Sequence, residues 1–122
     1  MKAESLPLEY LRECFTLDKT AGQLRWKQRP AEHFKTERAA HAWNRKFAGK
    51  TAGYGFGILG KVVKIESKTY SIARIVWALH YGEVLNRHVV LYHRNGDRRD
   101  NRVINLLVGS RNISEVIAEL HK

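Results

Sequence analysis

The stretch from His88 to Leu106 constrains this chain more than any other. His88 to Tyr92 is a short apolar run rich in β-branched residues, which reads as a strand, and His93 stands at its end. Asn95-Gly96-Asp97 follows, a tight-turn signal, because glycine accepts a positive φ while Asn and Asp bond nearby backbone. A helix with two Asn residues, including Asn101 to Leu106, is then expected to pack back. Arg94, Arg98, Arg99 and Arg102 crowd the same place. A neutral imidazole can take a proton from water, and guanidinium groups can hold phosphates. Together they suit a phosphodiester-hydrolysis site. A single histidine at a strand end is more often structural, so the surrounding pattern must carry the reading.

The rest of the chain reads as a mixture of short helices and strands, an α+β pattern. Ser5 and Pro7 would open a helix from Leu8 to Phe15, with Leu8, Leu11 and Phe15 on one face. Asp18 to Gly22 reads as a turn and Gln23 to Lys27 as a strand. Pro30 would open a second helix, about Ala31 to Phe47, with Phe34, Ala39, Trp43 and Phe47 along one stripe. Five glycines between Gly49 and Gly60 mark a loop or irregular hairpin. Lys61 to Ile65 and Thr69 to Ile72 would be strands about a turn at Glu66-Ser67-Lys68. Ala73 to Tyr81 would be a mostly buried helix stopped by Gly82. A last helix is expected from Ser110 or Asn112 to Leu120. Trp26, Trp43 and Trp77 fall at internal positions, which argues against base stacking.

At 122 residues the chain suits one domain, expected to span 1–122. Lys and Arg exceed Asp and Glu by 22 to 12, a net charge of +10, which favours an anionic partner. The charge is concentrated. Eight Lys or Arg lie between Arg25 and Lys50, including Lys35, Arg38, Arg45 and Lys46. Six Arg lie between Arg87 and Arg111, around His93. That is a footprint for phosphate-backbone contacts with DNA or RNA. Cys14 is the single cysteine, so neither an internal disulfide nor a cysteine-based zinc site is possible. The N-terminus has no secretion-type apolar stretch and no segment has membrane-span length, so the cytoplasm, without a membrane partner, is the expected setting.

The pattern His93-x-Asn95-Gly96-Asp97-Arg98-x-Asp100-Asn101-x-x-x-Asn105-Leu106 resembles the HNH endonuclease family, especially its small phage-type members. Leu24-Arg25-Trp26, Arg29 to Lys35, Trp43-Asn44, Phe47 to Lys50 and Arg74-x-x-Trp77-x-x-x-x-Gly82-Glu83 are also similar to that group, over roughly residues 10 to 114. The resemblance implies a ββα-metal core of hairpin plus helix, about 88–118, with an N-terminal helical and β elaboration, about 6–60. It implies His93 as the general base and Asn105 as the residue that pins the loop and orients it. Asn95, Gly96, Asp97, Asp100 and Asn101 would shape that loop.

The same resemblance exposes departures. The family generally places an acidic or other ligating residue before the histidine, where this chain has Tyr92. A phenol keeps its proton at neutral pH and serves a hard ion such as Mg²⁺ poorly. The third family position falls on Ser114, and Ala73 stands where many relatives have histidine. Glu115, Asn112, Asp97 or Asp100 are substitute ligands to consider, each with a duller role as helix charge, cap or turn residue. No cofactor is therefore expected, with Mg²⁺ or another divalent ion implied only if the protein cuts. The leading expectation is a nucleic-acid-binding protein of nuclease fold with cleavage lost or weak. The others are an active metal-dependent endonuclease or nickase, and a phage-type inhibitor of a host nucleoprotein complex such as a defence system.

Overall fold

The computed structural model describes residues 6–55 and 60–109. The expected cap Ser5, the final helix and the positions Arg111, Asn112, Ser114 and Glu115 lie outside the described residues. Within them the chain is α+β, with three α-helices and three small antiparallel sheets.

The first helix, α1, spans Leu8–Cys14, and Pro7 is its N-cap rather than a member of its first turn. Phe15 does not continue it. It opens strand β1, Phe15–Asp18, which pairs in antiparallel register with β2, Gln23–Trp26, as Phe15 opposite Trp26 through Asp18 opposite Gln23. The turn between them closes where Asp18 Oδ1 accepts the Ala21 N–H at 3.2 Å. A short strand β3, Thr51–Ala52, completes the sheet on the far side of β2.

The single helix expected from Ala31 to Phe47 is divided. A 3-10 turn, Ala31–His33, follows Pro30, and helix α2 begins only at Glu37. The divider is Thr36, whose Oγ1 accepts the Ala39 N–H at 3.0 Å and caps α2, which runs Glu37–Phe47. The shift moves the inward stripe from Ala39, which is exposed, to Ala40. Phe34, outside the helix, still packs against Trp43.

Strands β4, Val62–Ile65, and β5, Lys68–Ser71, pair in register about a two-residue turn, tighter than expected. Both turn residues, Glu66 and Ser67, take positive φ, the twist that a two-residue hairpin requires. Helix α3, Ile72–Tyr81, follows at once. Ser71 Oγ accepts from Arg74 N–H at its start, and Gly82 at φ +72° ends it. Its Ile72, Ala73, Ile75, Val76 and Ala78 are buried against Leu11, Cys14, Phe15, Leu24, Trp26, Val63 and Ile65. Ala73 therefore belongs to the core, not to a site.

The last hairpin joins β6, Val90–His93, to β7, Leu106–Gly109, with His93 opposite Leu106. The helix expected over Asn101 to Leu106 is instead a 3-10 turn, Val103–Asn105, running directly into β7. Pairing with β6 extends the chain from Leu106 onward, and Leu106 is the hairpin residue that enters the main core. Arg74 ties α3 to the segment that feeds β6. Its guanidinium donates to the carbonyls of Val89 at 2.9 Å, Asn86 at 2.7 Å and Leu85 at 3.3 Å. Among the described residues no helix is long and apolar enough to cross a membrane.

Candidate functional site

The loop 94–105 is built around Asn105, which is 4% exposed. Its Oδ1 accepts the Asn95 N–H at 2.9 Å, and its Nδ2 donates to Asn95 Oδ1 at 3.0 Å and to the Asp100 carbonyl at 2.8 Å. Its backbone carbonyl accepts the Arg94 N–H at 2.7 Å. One amide side chain thus joins the loop's beginning to its middle, immediately behind His93. Gly96, at φ +77°, makes the reversal, with its N–H on the His93 carbonyl at 3.0 Å.

His93 is half-buried at the end of β6. Its Nε2 lies 2.7 Å from Oδ1 of Asn101. An amide oxygen only accepts, so a hydrogen bond in this contact requires the ring proton on Nε2. Asn101 is 1% exposed, and its Nδ2 has no hydrogen-bond partner among the described residues. Nothing in the sequence distinguished Asn101 from the other turn-forming residues of the loop; only its burial does.

The two loop carboxylates are engaged. Asp97 Oδ1 accepts the Arg99 N–H at 2.9 Å and Nε at 3.3 Å, and these bonds, the backbone one foremost, lower its pKa. Asp100 takes Arg102 in a fork, Nε on Oδ1 at 2.8 Å and Nη2 on Oδ2 at 2.7 Å, and also accepts Asn95 Nδ2 at 2.9 Å. The Arg102 side chain, then its backbone N–H and Asn95, hold the Asp100 carboxyl well below the usual carboxylate range. Arg94, Arg98, Arg99 and Arg102 are all exposed around the loop.

Two glycines of the N-terminal half press on this loop. A Cβ at Gly22, in the β1–β2 turn, would stand 2.2 Å from the Arg102 nitrogen and 2.3 Å from the Asn101 carbonyl carbon. One at Gly60 would stand 2.8 Å from the Arg98 carbonyl oxygen. Both have positive φ, +67° and +72°. The loop backbone therefore rests directly on bare backbone from elsewhere in the chain.

Lys35, Arg38, Arg45 and Lys46 are exposed on and before α2. This helix packs through Trp43 on Trp26, the end of β2 away from the Gly22 turn. The second basic region is thus carried by a different element from the His93 loop.

A second histidine cluster lies beneath α2. Arg29, 5% exposed, sits among the rings of Tyr10, Trp26, Phe34 and Trp43, at 4.6 Å from the Phe34 centroid and 4.7 Å from that of Trp43. It donates to Tyr10 Oη at 2.7 Å and to His33 Nδ1 at 3.1 Å, while His33 Nε2 faces Glu13 Oε1 at 3.2 Å. Cys14 Sγ is 3.9 Å from His33 Nδ1, which superficially resembles a nucleophile–base pair. The thiol is wholly buried and burial pushes its pKa up to about 11, the opposite of an activated thiolate. This cluster is structural, and nothing in a run of basic residues marks Arg29 as its buried member.

Residues 70–116 match the family model described as HNH endonuclease. Over this segment, from β5 through α3, the His93 loop and β7, the chain is similar to the HNH endonuclease family. The resemblance read from the His93-to-Leu106 pattern is borne out there, while residues 10–69 lie outside the match. No curated protein and no solved structure gave a match.

HNH endonucleases generally use a divalent metal. Tyr92 precedes the histidine, Asp97 and Asp100 are held by arginines, and among the described residues no three of His, Cys, Asp or Glu converge.

Proposed function

We propose that this protein binds nucleic acid through the phosphate backbone, using an HNH-type loop in which metal-dependent cleavage is lost or weak. The observation that carries the reading is the state of the loop's charges. Its carboxylates are consumed within the loop by Arg99 and Arg102, whereas Arg94 and Arg98 add further exposed guanidinium groups to the surface around His93. A site for a hard cation needs the reverse, carboxylates free and arginines distant. Phosphate needs this arrangement, because exposed guanidinium groups release counterions from nucleic acid when they meet it. Lys35, Arg38, Arg45 and Lys46 supply a second basic region in this reading, and Arg111 lengthens the first.

One observation favours cleavage instead. His93 is seated against Asn101 and the loop is pinned by Asn105, an arrangement a catalytic base would need. A plasmid-nicking assay across Mg²⁺, Mn²⁺ and Zn²⁺, run beside a gel shift, separates the two. The proposal expects a shift without nicking. Metal-dependent nicking abolished by His93→Ala would replace it with an active endonuclease using ligands beyond the described residues. Absence of both would move the partner to a protein, such as a host nucleoprotein complex. Cleavage gained by the Tyr92→Asp, Ser114→Asn double variant would locate the loss of activity at the ligand positions.

A further inference from the structure

We infer that Asn101 is a positioning residue that fixes His93 as its Nε2–H tautomer and so makes Nδ1 the proton-accepting nitrogen. The inference holds whether or not cleavage survives: it concerns the imidazole that a cleaving loop of this type would use, and adds a residue to which neither reading above gives a role. Three observations carry it.

The first is the 2.7 Å contact between His93 Nε2 and Asn101 Oδ1. In a neutral imidazole one nitrogen carries the proton and the other is basic, and the hydrogen bond made by one decides the role of the other. With Nε2–H donated to Asn101, the lone pair belongs to Nδ1. The reversed amide would donate Nδ2–H to Nε2, use up the basic nitrogen and leave a protonated Nδ1, which accepts nothing.

The second is what this contact costs. Asn101 is almost wholly buried while its Nδ2 donates to nothing among the described residues. A leucine, with the same branching and heavy-atom count, would carry no unpaired amide. Burying an asparagine with half of its polar end unused is understandable when the other half, the oxygen, has a task.

The third is how firmly the residue is held. The carbonyl just before it, on Asp100, accepts Asn105 Nδ2. The peptide just after it lies against Gly22, with no room for even a methyl group. The amide oxygen is thus aimed at His93 by contacts on both sides.

Nitrogen-15 NMR of the histidine rings, at a pH where they are neutral, reads the tautomer directly and needs neither metal nor nucleic acid. The expected result is one Nε2–H tautomer for His93, kept in Asn101→Asp, whose carboxylate still accepts, and lost to a mixture of both tautomers in Asn101→Leu. An Nδ1–H ring in the unaltered protein would overturn the inference, even if Asn101→Leu fails to fold. So would an unchanged Nε2–H ring in a folded Asn101→Leu. Nicking decides the separate matter of activity: an inert protein with the Nε2–H ring leaves this inference standing, and an active one with Nδ1–H defeats it alone. If nicking is present, Asn101→Leu is expected to lower kcat about 10- to 100-fold with KM little changed.

Discussion

Asn105 shows how much a single amide can organise. Its three side-chain hydrogen bonds span both ends of a loop that has no regular structure beyond a 3-10 turn. Asn105→Ala removes all three and leaves the part-buried Asp100 carbonyl short of a donor. It is expected to cost about 2–3 kcal/mol, from the usual worth of such bonds, measured as a fall in the urea midpoint at unchanged slope. Asp100 gives a pH dependence of known sign. Its folded-state pKa is depressed, chiefly by Arg102, so its contribution is fully present above the unfolded value of about 3.9. That contribution declines as pH falls below this value and is lost as pH passes the folded one. Asp100→Asn should therefore lower stability at pH 7 and flatten the loss seen between pH 4 and pH 2 in paired urea titrations.

Among the elements, the β4–β5 turn is strained in a correctable way. Ser67 sits at φ +68° without being glycine. Relief of left-handed strain of about 1–2 kcal/mol, set against glycine's entropic cost of about 0.5–1 kcal/mol, predicts that Ser67→Gly stabilises slightly, seen as a Tm raised by a few degrees. This hairpin and α3 were legible because their signals are local: alternation, a capping serine and a glycine stop. The His93–Asn105 spacing was legible as a motif for the same reason. Strand β1 was not, because Leu8, Leu11 and Phe15 fit one helical face equally well, and only pairing with β2 makes Phe15 extended. The turn into β7 was missed likewise, since its partner β6 lies twelve residues back across the loop. Arg29 and Asn101 could not be recognised as buried, because sequence records their polarity and not the rings or backbone that enclose them.

At the scale of the whole molecule, a charge of +10 predicts binding governed by salt. If the exposed loop arginines Arg94 and Arg98 each neutralise one phosphate, log K should fall against log salt with a slope of about −1.8 for duplex DNA. That is a loss of roughly 10-fold between 50 and 200 mM salt, and Arg98→Ala should reduce the slope by about one unit. Fluorescence anisotropy over a salt series measures both. The contact at Gly22 bears on how such a protein can be taken apart. The recognisable nuclease signature begins well after residue 60, yet part of the wall behind its loop is made by a turn some eighty residues upstream. A fragment cut to the signature would keep every motif residue and lose the surface that shapes them. The signature is a label on the chain, and the packing of its loop is assembled from both of its halves.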